Sequence, residues 1–90
     1  MRKRLIAGNW KMNGSSASVA MLLEGLLSQC TSTDVDWLVC PPSVYLSQAH
    51  AALKNSNVFL GAQNVCDHMS GAYTGEISAE MLTDIGCQYA

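Results

Sequence analysis

Three short apolar runs, each followed by polar turn residues, constrain this chain more than any other feature. Leu5-Ile6-Ala7-Gly8 is the first, Trp37-Leu38-Val39-Cys40 the second and Val58-Phe59-Leu60-Gly61-Ala62 the third. Their hydrophobicity is continuous rather than alternating, as in parallel strands covered on both faces. Between the first two runs, Val19, Leu22, Leu23 and Leu26 fall at i, i+3, i+4 and i+7, on one face of a helix. Ser15 or Ser16 can cap that helix by accepting from its free N–H groups. Pro41-Pro42 ends the second strand, because proline cannot donate to a ladder. Ser43 is then placed to cap a second helix with the face Leu46, Ala49, His50 and Leu53, and Asn55-Ser56-Asn57 is a turn.

Residues 63–77 are polar, with Gly71 and Gly75 among them. Loops of this length are uncommon in compact domains and are often functional. Ile77, Met81, Leu82 and Ile85 mark a short third helix, with Ser78 near its start and Gly86 as its C-terminal cap. A fourth strand is expected to begin at Cys87-Gln88-Tyr89-Ala90. Strand alternating with helix predicts an α/β fold, a parallel sheet with right-handed crossover helices. Ligands of such sheets bind beyond the carboxyl ends of the strands. The groups expected there are Asn9, Lys11 and Asn13, the Pro-Pro turn, and Gln63-Asn64, with Lys11 the only cation of the set.

Composition narrows the function classes. Of 90 residues, 49% are hydrophobic and 13% charged, the opposite of a disordered chain. A net charge of -2 with no basic cluster argues against nucleic acid as a partner. No apolar run approaches the roughly 18 residues that span a bilayer, so no membrane role is expected. The basic Met1-Arg2-Lys3-Arg4 precedes apolar residues, but Asn9, Lys11 and Asn13 break the run too soon for a secretory signal, and a cytoplasmic location is expected. Cys30, Cys40, Cys66 and Cys87 form no C-x-x-C pair and read as small buried hydrophobes in a reducing compartment. A two-disulfide scaffold is possible by count only, and Cys66-Asp67-His68 lacks the second cluster that a metal site normally needs, so no metal or cofactor is expected.

Few residues are candidates for chemistry. Lys11, just past a strand end and flanked by Asn9 and Asn13, can neutralise an anionic ligand while the amides orient it. A solvated lysine at a loop start fits the same pattern equally well. Glu76 reads most simply as an acid near a helix N-terminus, a dipole partner. His50 reads as a structural residue of the second helix and His68 as an exposed loop group. Neither has a nucleophile or orienting acid at motif spacing. Gly71-Ala72-Tyr73-Thr74-Gly75 lacks the spacing and following lysine of a phosphate-binding P-loop, and no Gly-rich dinucleotide fingerprint follows the first strand.

Four segments in order carry a resemblance. Gly8-Asn9-Trp10-Lys11-Met12-Asn13-Gly14 resembles the N-terminal signature of the triosephosphate isomerase family. Pro41-Pro42-Ser43-Val44-Tyr45-Leu46 is similar to that family's second strand–helix turn. Leu60-Gly61-Ala62-Gln63-Asn64-Val65 and Ser70-Gly71-Ala72-Tyr73-Thr74-Gly75-Glu76-Ile77-Ser78 resemble its third strand and the long loop after it. The resemblance covers essentially the whole chain. It implies a partial (β/α)₈ barrel, with residues 1–90 a single N-terminal segment of about three βα units from a fold of ~250 residues.

It also implies an activity, the interconversion of dihydroxyacetone phosphate and D-glyceraldehyde 3-phosphate in glycolysis and gluconeogenesis, without metal or cofactor. By the same resemblance Asn9 and Lys11 bind substrate, and Lys11 offsets the charge that develops on enolisation. Gln63, Asn64, Thr74 and Glu76 become interface residues of a homodimer, with Thr74 near the partner's active site. In that family a glutamate base and a neutral histidine move the protons under a closing loop. Neither His50 nor His68 matches that histidine's motif, and the family's histidine and glutamate follow later strands than these 90 residues contain. The expectation is therefore a fragment without useful activity alone, needing a complementing barrel fragment or a second copy. A non-catalytic, self-associating assembly module is the alternative.

Overall fold

In the computed structural model, residues 3–90 are described. The elements are β1 (Arg4–Asn9), α1 (Ser16–Gln29), β2 (Val35–Cys40), a 3₁₀ turn (Ser43–Tyr45), α2 (Leu46–Leu53), β3 (Val58–Leu60) and α3 (Ala79–Asp84). The three strands form one parallel sheet in the order β1-β2-β3. This is the α/β arrangement expected of part of a (β/α)₈ barrel, and the sheet is not closed. β2 starts at Val35, two residues before its apolar run. β3 is shorter than its run, but the pairing continues past it: the Gly61 N–H donates to the Val39 carbonyl at 2.9 Å, Gly61 bridges Tyr89 in parallel and the Ala62 N–H donates to the Tyr89 carbonyl at 2.9 Å. The expected start of a fourth strand is thus found beside β3.

Register separates the two faces of the sheet. Ile6↔Trp37 and Gly8↔Val39 alternate with Leu5↔Asp36, Ala7↔Leu38 and Asn9↔Cys40. Val39, Val58, Leu60 and Ala62 face the helices and bury against Val19 and Leu23 of α1, Leu46, Ala49 and Leu53 of α2, and Leu82 of α3. The opposite face carries Leu5, Ala7 and Asn9 of β1, and no helix among the described residues packs on it; the molecule measures 42 × 36 × 21 Å.

Local chemistry sets the helix ends. Of the two candidate serines, Ser15 is the cap of α1: its Oγ accepts from the Ser18 N–H at 3.1 Å, and the Ser18 Oγ accepts from the Ser15 N–H at 2.8 Å. This reciprocal box satisfies two otherwise orphaned donors. The expected cap at Ser43 is not formed. Pro42 occupies the N-cap position and the Tyr45 N–H closes the turn on the Pro42 carbonyl at 2.9 Å, so Ser43 lies one residue too late to cap. Ser78 does cap α3, accepting from the Met81 N–H at 3.2 Å. Gly86 ends α3 with φ +100: its N–H donates to the Thr83 carbonyl and the Cys87 N–H to the Leu82 carbonyl, the paired bonds of a Schellman motif.

Candidate functional site

The carboxyl end of β1 and the turn after it bring Asn9 and Lys11 together. Asn9 is the last residue of β1, opposite Cys40. Its Oδ1 accepts from the Lys11 N–H at 2.9 Å. Lys11 has φ +54, a left-handed conformation that a long unbranched side chain rarely adopts. Such a residue persists only where its surroundings hold it. The holding is visible on both sides of the peptide. Asn9 satisfies the Lys11 N–H, and Gln63 Nε2 donates to the Lys11 carbonyl oxygen at 2.8 Å. The same Nε2 donates to the Cys40 carbonyl oxygen at 2.8 Å, so one amide ties the ends of β1, β2 and β3. The Trp10 N–H also reaches the Cys40 carbonyl, at 3.1 Å, and Asn13 Nδ2 donates to the Trp10 carbonyl at 3.0 Å.

The side chain of Lys11 is exposed, and among the described residues no carboxylate stands within ion-pair distance of it. A cation with no internal partner, set beside an exposed amide at the carboxyl edge of a parallel sheet, can receive an anionic ligand. Charge-assisted hydrogen bonds of that kind are the strong ones.

Of the remaining expected site residues, Asn64 and Glu76 lie beside Gln63. Asn64 accepts from its neighbour Val65, Oδ1 to N–H 2.9 Å. Gln63, Asn64 and Glu76 line one cavity of about 140 Å³ together with Ser43 and Gly75. The long loop is closed at its base, where Cys66 bridges Ser78 and the Cys66 N–H donates to the Ile77 carbonyl at 2.7 Å. Thr74 is exposed. Glu76 does not serve the dipole of α3. It precedes the Ser78 cap by two residues, and the acid in the first turn is Glu80. The reason is the short capped start at Ser78, which leaves Glu76 in the loop, where its N–H donates to the Tyr73 carbonyl.

The two histidines sit on other elements. His50 is half-buried on α2 against Gly86. His68 stacks on Tyr73 with ring centroids 4.3 Å apart and planes 8° from parallel, its Nε2 3.4 Å from an Asp67 oxygen. Among the described residues no three His, Cys, Asp or Glu side chains converge. The four cysteines are free thiols; Cys87 is buried and the others are half-buried. Burial pushes the Cys40 and Cys87 thiols up from their ordinary value, and Cys40 adds to the effect at Cys87, so neither is an activated nucleophile. No helix among the described residues is long and apolar enough to cross a membrane.

Residues 4–90 match the family model described as triosephosphate isomerase. The chain belongs to the triosephosphate isomerase family. It is 56% identical over 90 residues to the triosephosphate isomerase of Methylococcus capsulatus, covering all of this chain and 36% of that protein. Against the enzyme of Herminiimonas arsenicoxydans it is 48% identical over 89 residues, 99% of this chain and 36% of the relative. Against that of Thiobacillus denitrificans it is 51% identical over 89 residues, 99% of this chain and 35% of the relative. The chain therefore spans about a third of the length of the triosephosphate isomerases it matches. Within this segment the part Gln63 plays inside the chain leaves little trace in the sequence. Its partner Lys11 lies 52 residues away, and the only pointer was a polar side chain directly after an apolar strand.

Proposed function

We propose that these 90 residues supply the substrate seat of a triosephosphate isomerase, an enzyme that interconverts dihydroxyacetone phosphate and D-glyceraldehyde 3-phosphate. Asn9 and Lys11 are the binding pair. Lys11 neutralises the phosphate-bearing substrate and offsets negative charge on the enediolate, and Asn9 orients it. The observation that carries this reading is the left-handed Lys11, held by Asn9 on one side and Gln63 on the other. Strain maintained by two side chains is expected where a functional group must point one way. Gln63, Asn64, Thr74 and Glu76 belong to the end of the molecule that would meet a second subunit of a homodimer. The reaction in this reading needs neither metal nor cofactor and takes place in the cytoplasm.

The proton-moving groups come from the remainder of the barrel. General acid–base groups are each worth about 10²–10⁴-fold, so the 90-residue chain alone should show no useful turnover. Two measurements test the proposal. An assay of the purified chain with glyceraldehyde 3-phosphate should give the blank rate; turnover near that of an intact enzyme contradicts the assignment of roles. Titration with 2-phosphoglycolate, a phosphate-bearing analogue of the enediolate, should show binding that Lys11→Ala abolishes. Equal binding by the variant removes the seat.

A second reading is favoured by the open sheet face: a non-catalytic module that associates with copies of itself. Leu5, on that face, is 50% exposed. Mixing the chain with a piece carrying the remaining strands separates the two. Restored isomerase activity identifies a complementing half, and silence identifies a module.

A further inference from the structure

The connection from β1 to α1 carries Lys11 near its start and ends at the Ser15 cap. Asn9 and Gln63 fix its first half. Its second half is held from the neighbouring βα unit. Tyr45 Oη donates to the Gly14 carbonyl oxygen at 3.1 Å. The approach is possible because Gly14 has φ +132 and no side chain. A Cβ there would stand 3.1 Å from Val19 Cγ2 and 3.3 Å from Tyr45 Cε2. Tyr45 is the last residue of the 3₁₀ turn that follows Pro41-Pro42, so the turn that displaced Ser43 from its cap also aims this ring at the first loop. Beyond the loop, Gln48 Nε2 donates to the Ser16 carbonyl at 2.9 Å, a tie to α1 rather than to the residues around Lys11.

We propose that Tyr45 is a positioning residue for Lys11: its hydroxyl, through Gly14, fixes the far end of the loop whose left-handed lysine presents the cation. The inference rests on the reading of Asn9 and Lys11 as an anion seat. A strained residue relaxes when either flank is freed, and Gly14, the most permissive residue of the loop, is where relaxation would begin. A shift of about 1 Å between Lys11 and Asn9 is enough to weaken a two-point grip on one ligand.

The test compares affinities of the 90-residue chain for 2-phosphoglycolate. Tyr45→Phe keeps the half-buried ring and its packing on Gly14 and removes one oxygen. It should bind about three- to tenfold more weakly, the loss expected for one neutral hydrogen bond, with an unchanged far-UV circular dichroism spectrum. The Lys11 amide resonance should move in the same variant, a readout that a purely structural role for Tyr45 would leave in place. Gln48→Ala, which loosens α1 alone, should bind like the parent. Unchanged affinity in Tyr45→Phe, or an equal loss in Gln48→Ala, overturns the inference. Binding by the parent that Lys11→Ala abolishes, alongside an unaffected Tyr45→Phe, removes only the role of Tyr45. A parent that does not bind removes the seat and this inference with it.

Discussion

At Lys11 a backbone conformation rather than a side chain marks the candidate site. The residue type was legible: a lone cation beyond a strand end, between two amides, is visible in Asn9-Trp10-Lys11-Met12-Asn13. The left-handed φ was not, because glycine and asparagine dominate that region and the sequence offers a lysine between Trp10 and Met12. Nor could the sequence show that Gln63 donates to two carbonyl oxygens at 2.8 Å, since those partners come from β2 and from the loop after β1. That geometry makes a specific demand on residue 63, namely a donor. Gln63→Glu sets a carboxylate against two carbonyl oxygens, which raises its folded-state pKa above the unfolded value near 4.3. The raised pKa fixes the sign: destabilisation is full above the folded pKa and fades as pH falls, because the protonated acid donates again. Urea unfolding at pH 7 should show a loss of about 1–2 kcal/mol for the exposed pair of bonds, shrinking towards pH 4. A pH-independent difference would mean that the two bonds do not matter.

At the level of elements, the order of strands and helices was readable because it follows from apolar spacing, which few side chains can disguise. The third helix and its caps were readable too, since Ser78 and Gly86 are the residue types that such ends require. The start of α2 was not. Two prolines followed by a serine resemble a stop and a cap, and whether Pro42 or Ser43 takes the N-cap position depends on one backbone turn. Gly86 shows how much one element end can carry. A Cβ at this φ +100 position would overlap ring atoms of His50, so the glycine is demanded twice, by conformation and by contact. Gly75 has φ +88 with open space around it and is demanded by conformation alone. Gly75→Ala should therefore cost about 1 kcal/mol, and Gly86→Ala about 2–4 kcal/mol. Thermal unfolding of both, with His50→Ala in the Gly86→Ala background, separates the terms. Removing the ring should recover part of the Gly86→Ala loss, and strict additivity would show that His50 is not the obstacle.

At the scale of the whole molecule, three parallel strands covered by helices on one face form an incomplete object. One edge, β1, has no strand beside it among the described residues, and the other has begun to pair with Tyr89. Unpaired edges and exposed apolar faces are what natural sheets cover or charge, and β1 carries Leu5 at 50% exposure and Ile6 at 47%. A closed barrel removes the problem by leaving no edge, whereas the isolated 90-residue chain has only other copies of itself with which to do so. Sedimentation should then report concentration-dependent association. Leu5 lies on the face without helices, in register with Asp36, so Leu5→Lys places a charge where a second copy would have to exclude water. Loss of roughly 1.5 kcal/mol of apolar burial corresponds to about tenfold weaker self-association, while the helix-covered core around Leu23, Leu46 and Ala49 is left untouched. The same substitution should hinder pairing with a piece carrying the remaining strands, because both partners would use this face. A parent chain that stays a compact monomer at high concentration, or a Leu5→Lys chain that associates as strongly as the parent, would show that the open face is not what drives assembly.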